Sequence, residues 1–163
     1  MNKILNFADN YTGFGISAME STISASILRG RPFAGVCTLV HNKYAAHVKC
    51  LMCAERFVVL AIGTTIFINV YVPSNSKENA RTIQSMFTEI QEVIYQYPDF
   101  MIIMGGDFNT DMSVKSNAAG LVNEFMSAHK LILCTDIIAP NSSYTFYKET
   151  QNYSSFIDYF MIS

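Results

Sequence analysis

Phe100-Met101-Ile102-Ile103-Met104-Gly105-Gly106-Asp107-Phe108-Asn109-Thr110-Asp111 is the stretch on which the reading of this chain turns. Its first five residues are apolar without interruption and have the length of a buried strand. The run breaks at Gly105 and Gly106, where a missing Cβ lets the backbone turn sharply or approach a ligand closely. Asp107, Asn109 and Asp111 then follow at every second position, so an extended chain projects all three side chains to one face. Two readings fit this pattern. One is a carboxylate and an amide presented at the carboxyl end of a central strand, where open α/β sheets place their sites. The other is a Gly-Gly turn running into a solvated, Asx-rich loop.

The chain has 163 residues, the size of one domain with a sizeable core. Hydrophobic residues make up 50% and charged residues 15%, which argues against disorder. A formal net charge of −2 provides no general pull toward nucleic acid, since that affinity rests on Lys and Arg contacts to phosphate. This weighs against a tight stand-alone DNA binder. Met1–Asn10 lacks the apolar core and small-residue cleavage site of a secretory signal. The longest apolar span, Phe57 to Val72, is broken by Gly63-Thr64-Thr65 and falls short of the roughly 20 residues a membrane helix needs. An intracellular chain without a membrane span is expected. Cys50-Leu51-Met52-Cys53 has knuckle spacing, but no second Cys or His pair follows at the usual interval. It reads as part of the core, and neither a cysteine metal site nor a disulfide partner is expected. His41, His47 and His129 show no ligand spacing and read as structural or surface residues.

Taken in order, Asn2 to Ala18 reads as a short helix, a loop at Gly13-Phe14-Gly15 and a strand, with Glu20 in an exposed loop beyond. Phe33 to His41 is a β-rich run, and Arg56–Gly63 with Thr64–Val72 reads as a hairpin turning at Gly63-Thr64. Pro73-Ser74-Asn75-Ser76 supplies cap candidates for a helix whose face is Ala80, Ile83, Phe87, Ile90, Ile94 and Tyr97, ended by Pro98. With its flanking strands this helix makes a β-α-β unit. A second helix spans Ala118 to His129, with Leu121, Val122, Phe125 and Met126 on its apolar face. Leu131–Cys134, Ser142–Phe146 and Ser155–Ile162 read as strands, the last two separated by a polar hairpin segment, Lys148–Ser154. Periodicity alone supports an α/β or α+β fold without internal repeats or linkers.

Four segments carry a resemblance. Gly105-Gly106-Asp107-Phe108-Asn109 resembles the signature of the endonuclease/exonuclease/phosphatase superfamily, the deoxyribonuclease I-like and apurinic endonuclease-like phosphodiesterases. Ile68-Asn69-Val70-Tyr71-Val72-Pro73-Ser74 resembles its strand ending in a phosphate-contacting tyrosine, and Phe156-Ile157-Asp158-Tyr159-Phe160 its late strand carrying a buried aspartate. Arg29-Gly30-Arg31-Pro32-Phe33-Ala34-Gly35-Val36 resembles a stretch common in endonuclease domains of non-LTR retrotransposons. The segments stand in the order the family requires and span most of the chain. The resemblance implies a two-sheet α/β sandwich and one domain over residues 1–163. It implies Mg²⁺- or Mn²⁺-dependent phosphodiester hydrolysis, most closely a DNA endonuclease acting in the nucleus if genomic DNA is its substrate.

By the same resemblance, Asp107 is a base and tentative metal ligand, and Asn109 holds water or phosphate. Tyr71 donates to a phosphate oxygen, Asp158 orients a catalytic histidine, and Thr145 lies near the substrate phosphate. Tyr71 and Thr145 read equally well as ordinary strand residues. An unpaired buried Asp158 would be costly and calls for a partner. The family's metal-binding Gln-Glu motif and its Ser-Asp-His motif have no counterpart in this sequence. The expectation is therefore a domain truncated at both ends and impaired in catalysis. The alternatives are an inactive remnant of the fold, or a phosphodiesterase or phosphatase acting on a lipid or small phosphoester.

Overall fold

The structure, a computed structural model, describes residues 3–4, 9–16, 35–135 and 144–163, the first pair by backbone alone. Strands β1 (Lys3–Ile4), β2 (Tyr11–Ile16) and β3 (Val36–His41) make a three-stranded antiparallel sheet. A larger sheet contains β4 (Val48–Cys53), β5 (Phe57–Ile62), β6 (Thr65–Tyr71), β7 (Met101–Asp107), β8 (Ile132–Leu133) and β11 (Asp158–Ile162), in the order β4-β5-β6-β7-β11-β8. Strands β9 (Phe146–Lys148) and β10 (Tyr153–Ser155) form a separate hairpin around the 3-10 turn Glu149–Gln151. The helices are α1 (Asn42–Ala45), a single turn, α2 (Ala80–Tyr95) and α3 (Asn117–His129).

The expected β-α-β unit is the centre of the molecule. Gly63, at φ +58°, turns β5 into β6, and β6 then pairs parallel with β7 through the α2 crossover. Every other pairing in the large sheet is antiparallel. Ile83, Met86, Phe87, Ile90, Val93 and Ile94 of α2 are buried, as a three- and four-residue spacing requires, and the helix ends three residues before Pro98. Its cap is Asn79 rather than the Ser74–Ser76 segment, although the Ser76 hydroxyl accepts the Asn79 N–H at 3.2 Å. Helix α3 joins α2 through the Phe87 and Phe125 rings, 4.9 Å apart.

Alternation along the strands divides the large sheet into two faces. One face carries Ile66, Ile68 and Val70 of β6, Ile102 and Met104 of β7, and Tyr159 and Met161 of β11, all buried in one core with both helices. Each such side chain withdrawn from water contributes about 1.5–3 kcal/mol. The other face meets the small sheet, where Phe14, Val36 and Val40 pack on Val58 and Leu60. Asn69 ties the sheets further, donating to the Cys37 carbonyl at 3.2 Å and the Thr38 hydroxyl at 3.3 Å. On the same face, toward β11 and β8, Met101, Phe160 and Ile132 are exposed. The Phe100–Met104 run is thus buried on one face and not on both. The mixed α/β fold follows the sequence periodicity, and its two packed sheets are what the family resemblance implied.

Three elements differ from expectation. Lys3–Ile4 is a strand opposite Gly13 and Phe14, not a helix, and Gly13-Phe14-Gly15 lies inside β2 rather than in a loop. The late hairpin is shifted: its arms are Phe146–Lys148 and Tyr153–Ser155, which overlap both ends of the Lys148–Ser154 segment read as a polar connection. Cys50 and Cys53 lie on β4, at the edge of the large sheet, and Cys50 is exposed rather than part of the core. Glu20 and most of the Arg29–Val36 motif lie outside the described residues. Among the described residues no helix is long and apolar enough to cross a membrane.

His129, in the last turn of α3, sits against Phe125 and Tyr95, with ring centroids 4.7 and 5.8 Å away. Its buried Nε2 has no hydrogen-bond partner among the described residues, and burial lowers its pKa below 6.5. The unfolded chain therefore binds this proton more readily than the folded one. Stability rises with pH between the depressed folded-state pKa and 6.5, and the full contribution is present above that value. Thermal unfolding across this window should show Tm climbing with pH for the native chain. The climb should flatten in His129→Phe, and an equal climb in the variant would assign the effect elsewhere.

Candidate active site

The register of the large sheet brings three of the expected residues into one row. Tyr71 at the end of β6 is the parallel partner of Asp107 at the end of β7, and Asp107 is the antiparallel partner of Asp158 at the start of β11. By strand alternation all three lie on the face shared with the small sheet. Directly opposed residues of neighbouring strands have Cβ atoms about 4.5–5.5 Å apart. Backbone bonds continue the pairing on both sides of Asp107: Val72 N–H donates to its carbonyl at 2.8 Å, and Phe108 N–H to the Ile157 carbonyl at 2.7 Å.

Gly106 is what permits this row. It has φ +142°, and a Cβ there would lie 2.0 Å from the Val70 carbonyl oxygen, a backbone atom that cannot move aside. At Gly105 a Cβ would meet only the exposed Phe160 ring, at 2.6 Å. The glycines do not break the strand, since β7 runs through both to Asp107.

Beyond Asp107 the burial pattern still alternates, with Phe108 and Thr110 buried and Asp107, Asn109 and Asp111 part-exposed. The backbone does not stay extended: Asn109 adopts φ +46°, which asparagine tolerates better than most residues. Its N–H donates to Asp107 Oδ1 at 2.8 Å and its Nδ2 to the Val72 carbonyl at 2.9 Å. Asn109 therefore fixes one carboxylate oxygen of Asp107 and ties the loop to the end of β6.

Burial raises the Asp107 pKa above 3.8, and the nearby Asp158 charge raises it further, against the opposing Asn109 N–H bond. Asp158 itself is exposed, not buried as expected. It shares its face of β11 with Phe160, while Tyr159 and Met161 point into the core. The apolar character of the segment thus reflects one buried face only. Thr145 is brought to the same place: its hydroxyl accepts the N–H groups of Ile157 at 3.0 Å and Asp158 at 3.1 Å, pinning the start of β11. Tyr71 is half-buried, its N–H donates to the Arg56 carbonyl at 2.8 Å, and the Arg56 guanidinium lies 5.7 Å from its ring centroid.

Sequence reasoning gave Asp111 no role. Its carboxylate accepts from Ser113 N–H and, at 3.3 Å each, from Ser155 Oγ and Phe156 N–H. Burial pushes its pKa up, but these bonds outweigh it and the pKa is lowered. A groove of about 270 Å³ opens here between Asn75, Asn109, Asp111, Ser116, Tyr153 and Ser155. Thr110 lines the same groove, and its buried hydroxyl has no partner among the described residues. The period-two spacing after Gly106 was the available signal for Asp111. Nothing in the sequence marks Ser155.

A protein-family profile described as endonuclease-reverse transcriptase matches residues 65–163, more than half of the chain. No curated protein sequence matches it significantly. Among solved structures, an AP endonuclease from Archaeoglobus fulgidus is similar in fold, with a TM-score of 0.52 and 15% sequence identity. The match covers 71% of this chain and 57% of that one, so this chain spans little more than half of the protein it resembles.

Two substitutions test the geometry. Gly106→Ala should cost at least about 1–3 kcal/mol, the range for strained backbone positions, and Gly105→Ala should cost less because Phe160 can swing away. Equal losses of Tm would contradict the Val70 contact. Asp107→Asn should raise Tm at neutral pH, because a folded-state carboxyl pKa above 3.8 means the ionised form is disfavoured on folding. The gain should shrink as pH falls toward 3.8, and a lowered Tm at neutral pH would contradict the assigned cause. With its fold, its ordered motifs and the family profile in agreement, the chain belongs to the endonuclease-reverse transcriptase family of the endonuclease/exonuclease/phosphatase superfamily.

Proposed function

We propose that this chain forms the core of a divalent-metal-dependent phosphodiester hydrolase, a DNA endonuclease of retroelement type. The observation that carries the reading is the row Tyr71–Asp107–Asp158 with Asn109 beside it. The family description supports the nucleic-acid branch of the superfamily over lipid or small phosphoester substrates.

Hydrolysis of a phosphodiester needs an oriented water, a group to take its proton, and compensation of charge on the phosphoryl oxygens. Asp107 takes the proton on a carboxylate presented at the carboxyl end of the central strand β7. Asn109 holds Asp107 in place through its N–H, leaving the second carboxylate oxygen to face the water. The Tyr71 hydroxyl donates to a phosphate oxygen from the adjacent strand end. Asp158, pinned by Thr145, adds negative charge opposite Asp107. Two carboxylates and an amide oxygen are hard donors, and Mg²⁺ is commonly held by one or two carboxylates with water and phosphate completing its shell. When bound, Mg²⁺ or Mn²⁺ supplies positive charge to the phosphoryl oxygens. Asp107 and Asp158 would hold it, and Asp107 is the one first in line. Among the described residues no three His, Cys, Asp or Glu side chains converge on one point.

Nicking of supercoiled plasmid should require Mg²⁺ or Mn²⁺ and fall at least about a hundredfold in Asp107→Ala, the lower range for loss of a general base. Nicking that survives chelation or the substitution would contradict the assignment, as would turnover of an inositol phosphate with no nicking. Independently of activity, millimolar Mg²⁺ should raise Tm of the native chain and leave Tm of Asp107→Ala unchanged. With a net charge of −2, duplex DNA affinity should be no tighter than the non-specific range of about 10⁻⁴ to 10⁻⁶ M at physiological salt. Submicromolar, sequence-independent binding would contradict that expectation.

A further inference from the structure

Successive residues of a strand face opposite ways, so two cysteines three positions apart should lie on opposite faces of the sheet. Cys50 and Cys53 do not. Strand β4 contains a β-bulge between Cys50 and Met52: Cys50 pairs with Leu60, Met52 with Val59 and Cys53 with Val58. The extra residue, Leu51, restores the parity. Leu60 and Val58 both face the small sheet, and Cys53 packs in that same cluster, while Leu51 and Met52 pack against the helix-side core. The two sulfur atoms are 3.1 Å apart, closer than van der Waals contact between sulfurs. Cys50 is exposed and Cys53 half-exposed, so a small reagent can reach the pair.

We infer that Cys50 and Cys53 are a dithiol modification site that is converted reversibly to an intrastrand disulfide by low-molecular-weight disulfides. A metal site is the weaker use of the same pair. Two thiols do not close a tetrahedral shell, and among the described residues no third ligating side chain converges on them. Burial first, and the bond to Cys50 second, push the Cys53 thiol up. Cys50, the more exposed sulfur, is therefore the first to react. Its thiolate attacks one sulfur of the reagent and displaces one thiolate. The Cys53 sulfur, losing its proton, then attacks Cys50 Sγ and displaces the second thiolate. The protein thiols together give up two protons and two electrons, and the reagent disulfide accepts the electrons to become two thiols. Closing the ring locks the bulge on β4, an edge strand of the large sheet.

The full chain equilibrated with oxidised and reduced glutathione, acid-quenched and mapped by mass spectrometry tests this. The native chain should lose the mass of two hydrogens in the peptide carrying Cys50 and Cys53. A variant with Cys37→Ser and Cys134→Ser should behave the same. Cys53→Ser should stop at a glutathione adduct on Cys50. At a fixed glutathione ratio the crosslinked fraction should be several-fold higher in the native chain than in urea, because the bulge holds the sulfurs together. A stable glutathione adduct in the native chain, a crosslink to Cys37 or Cys134, or an equal fraction in urea would overturn the inference.

Discussion

The backbone of Gly106 lies against the carbonyl of Val70, and the arrangement of the site follows from that contact. With φ +142° and no room for a Cβ, Gly106 lets β7 stay paired with β6 to its last residue. Asp107 therefore ends level with Tyr71 on one side and Asp158 on the other. A β-carbon at that point would separate the strands one residue before the carboxylate. The parallel pairing depends in turn on α2, whose buried face fills the space between the crossover and the sheet. Core packing, strand register and the placement of the carboxylate are thus one mechanical system.

The electrostatics run against stability at the same place. Asp107 is half-buried and directly opposite a second carboxylate, an arrangement that disfavours its ionised form. Among the described residues one backbone bond, from Asn109, offsets this, and it comes from a residue in left-handed conformation. Asp111, four residues on, shows the contrast: with Ser113, Ser155 and Phe156 donating to it, its pKa is lowered instead. A carboxylate left under-compensated beside another is unfavourable for folding and suited to holding a cation or a proton.

Much of this was legible in the sequence, where burial and local chemistry agree. The β5–β6 hairpin, α2 and the β7 strand each combine an apolar pattern with a Gly or Pro boundary, and α3 combines an apolar face with a serine cap, Ser116. Tyr71, Asp107 and Asp158 were legible as members of ordered motifs, although their meeting in one row comes from strand register, which the separate motifs do not reveal. The failures share a cause. The Phe146–Ser155 hairpin is largely exposed, so its arms carry no apolar alternation to read. Asp158 was expected to be buried because its neighbours are apolar, but only one face of β11 packs on the core and Phe160 is 64% exposed on the other. The bulge in β4 inverts the parity of Cys53, and no residue in Cys50–Cys53 announces it.

On the proposed function, a divalent cation would be held at the end of β7 by Asp107 and Asp158, with Asn109 beside them. Titration of the full, isotope-labelled chain with Mn²⁺, followed by paramagnetic broadening of backbone amide signals, tests this without relying on turnover. Broadening should be centred on Asp107, Asn109 and Asp158, reach Tyr71, and disappear from these signals in Asp107→Ala. Broadening centred on the Glu89 and Glu92 surface of α2, or spread evenly over exposed acids, would contradict the account.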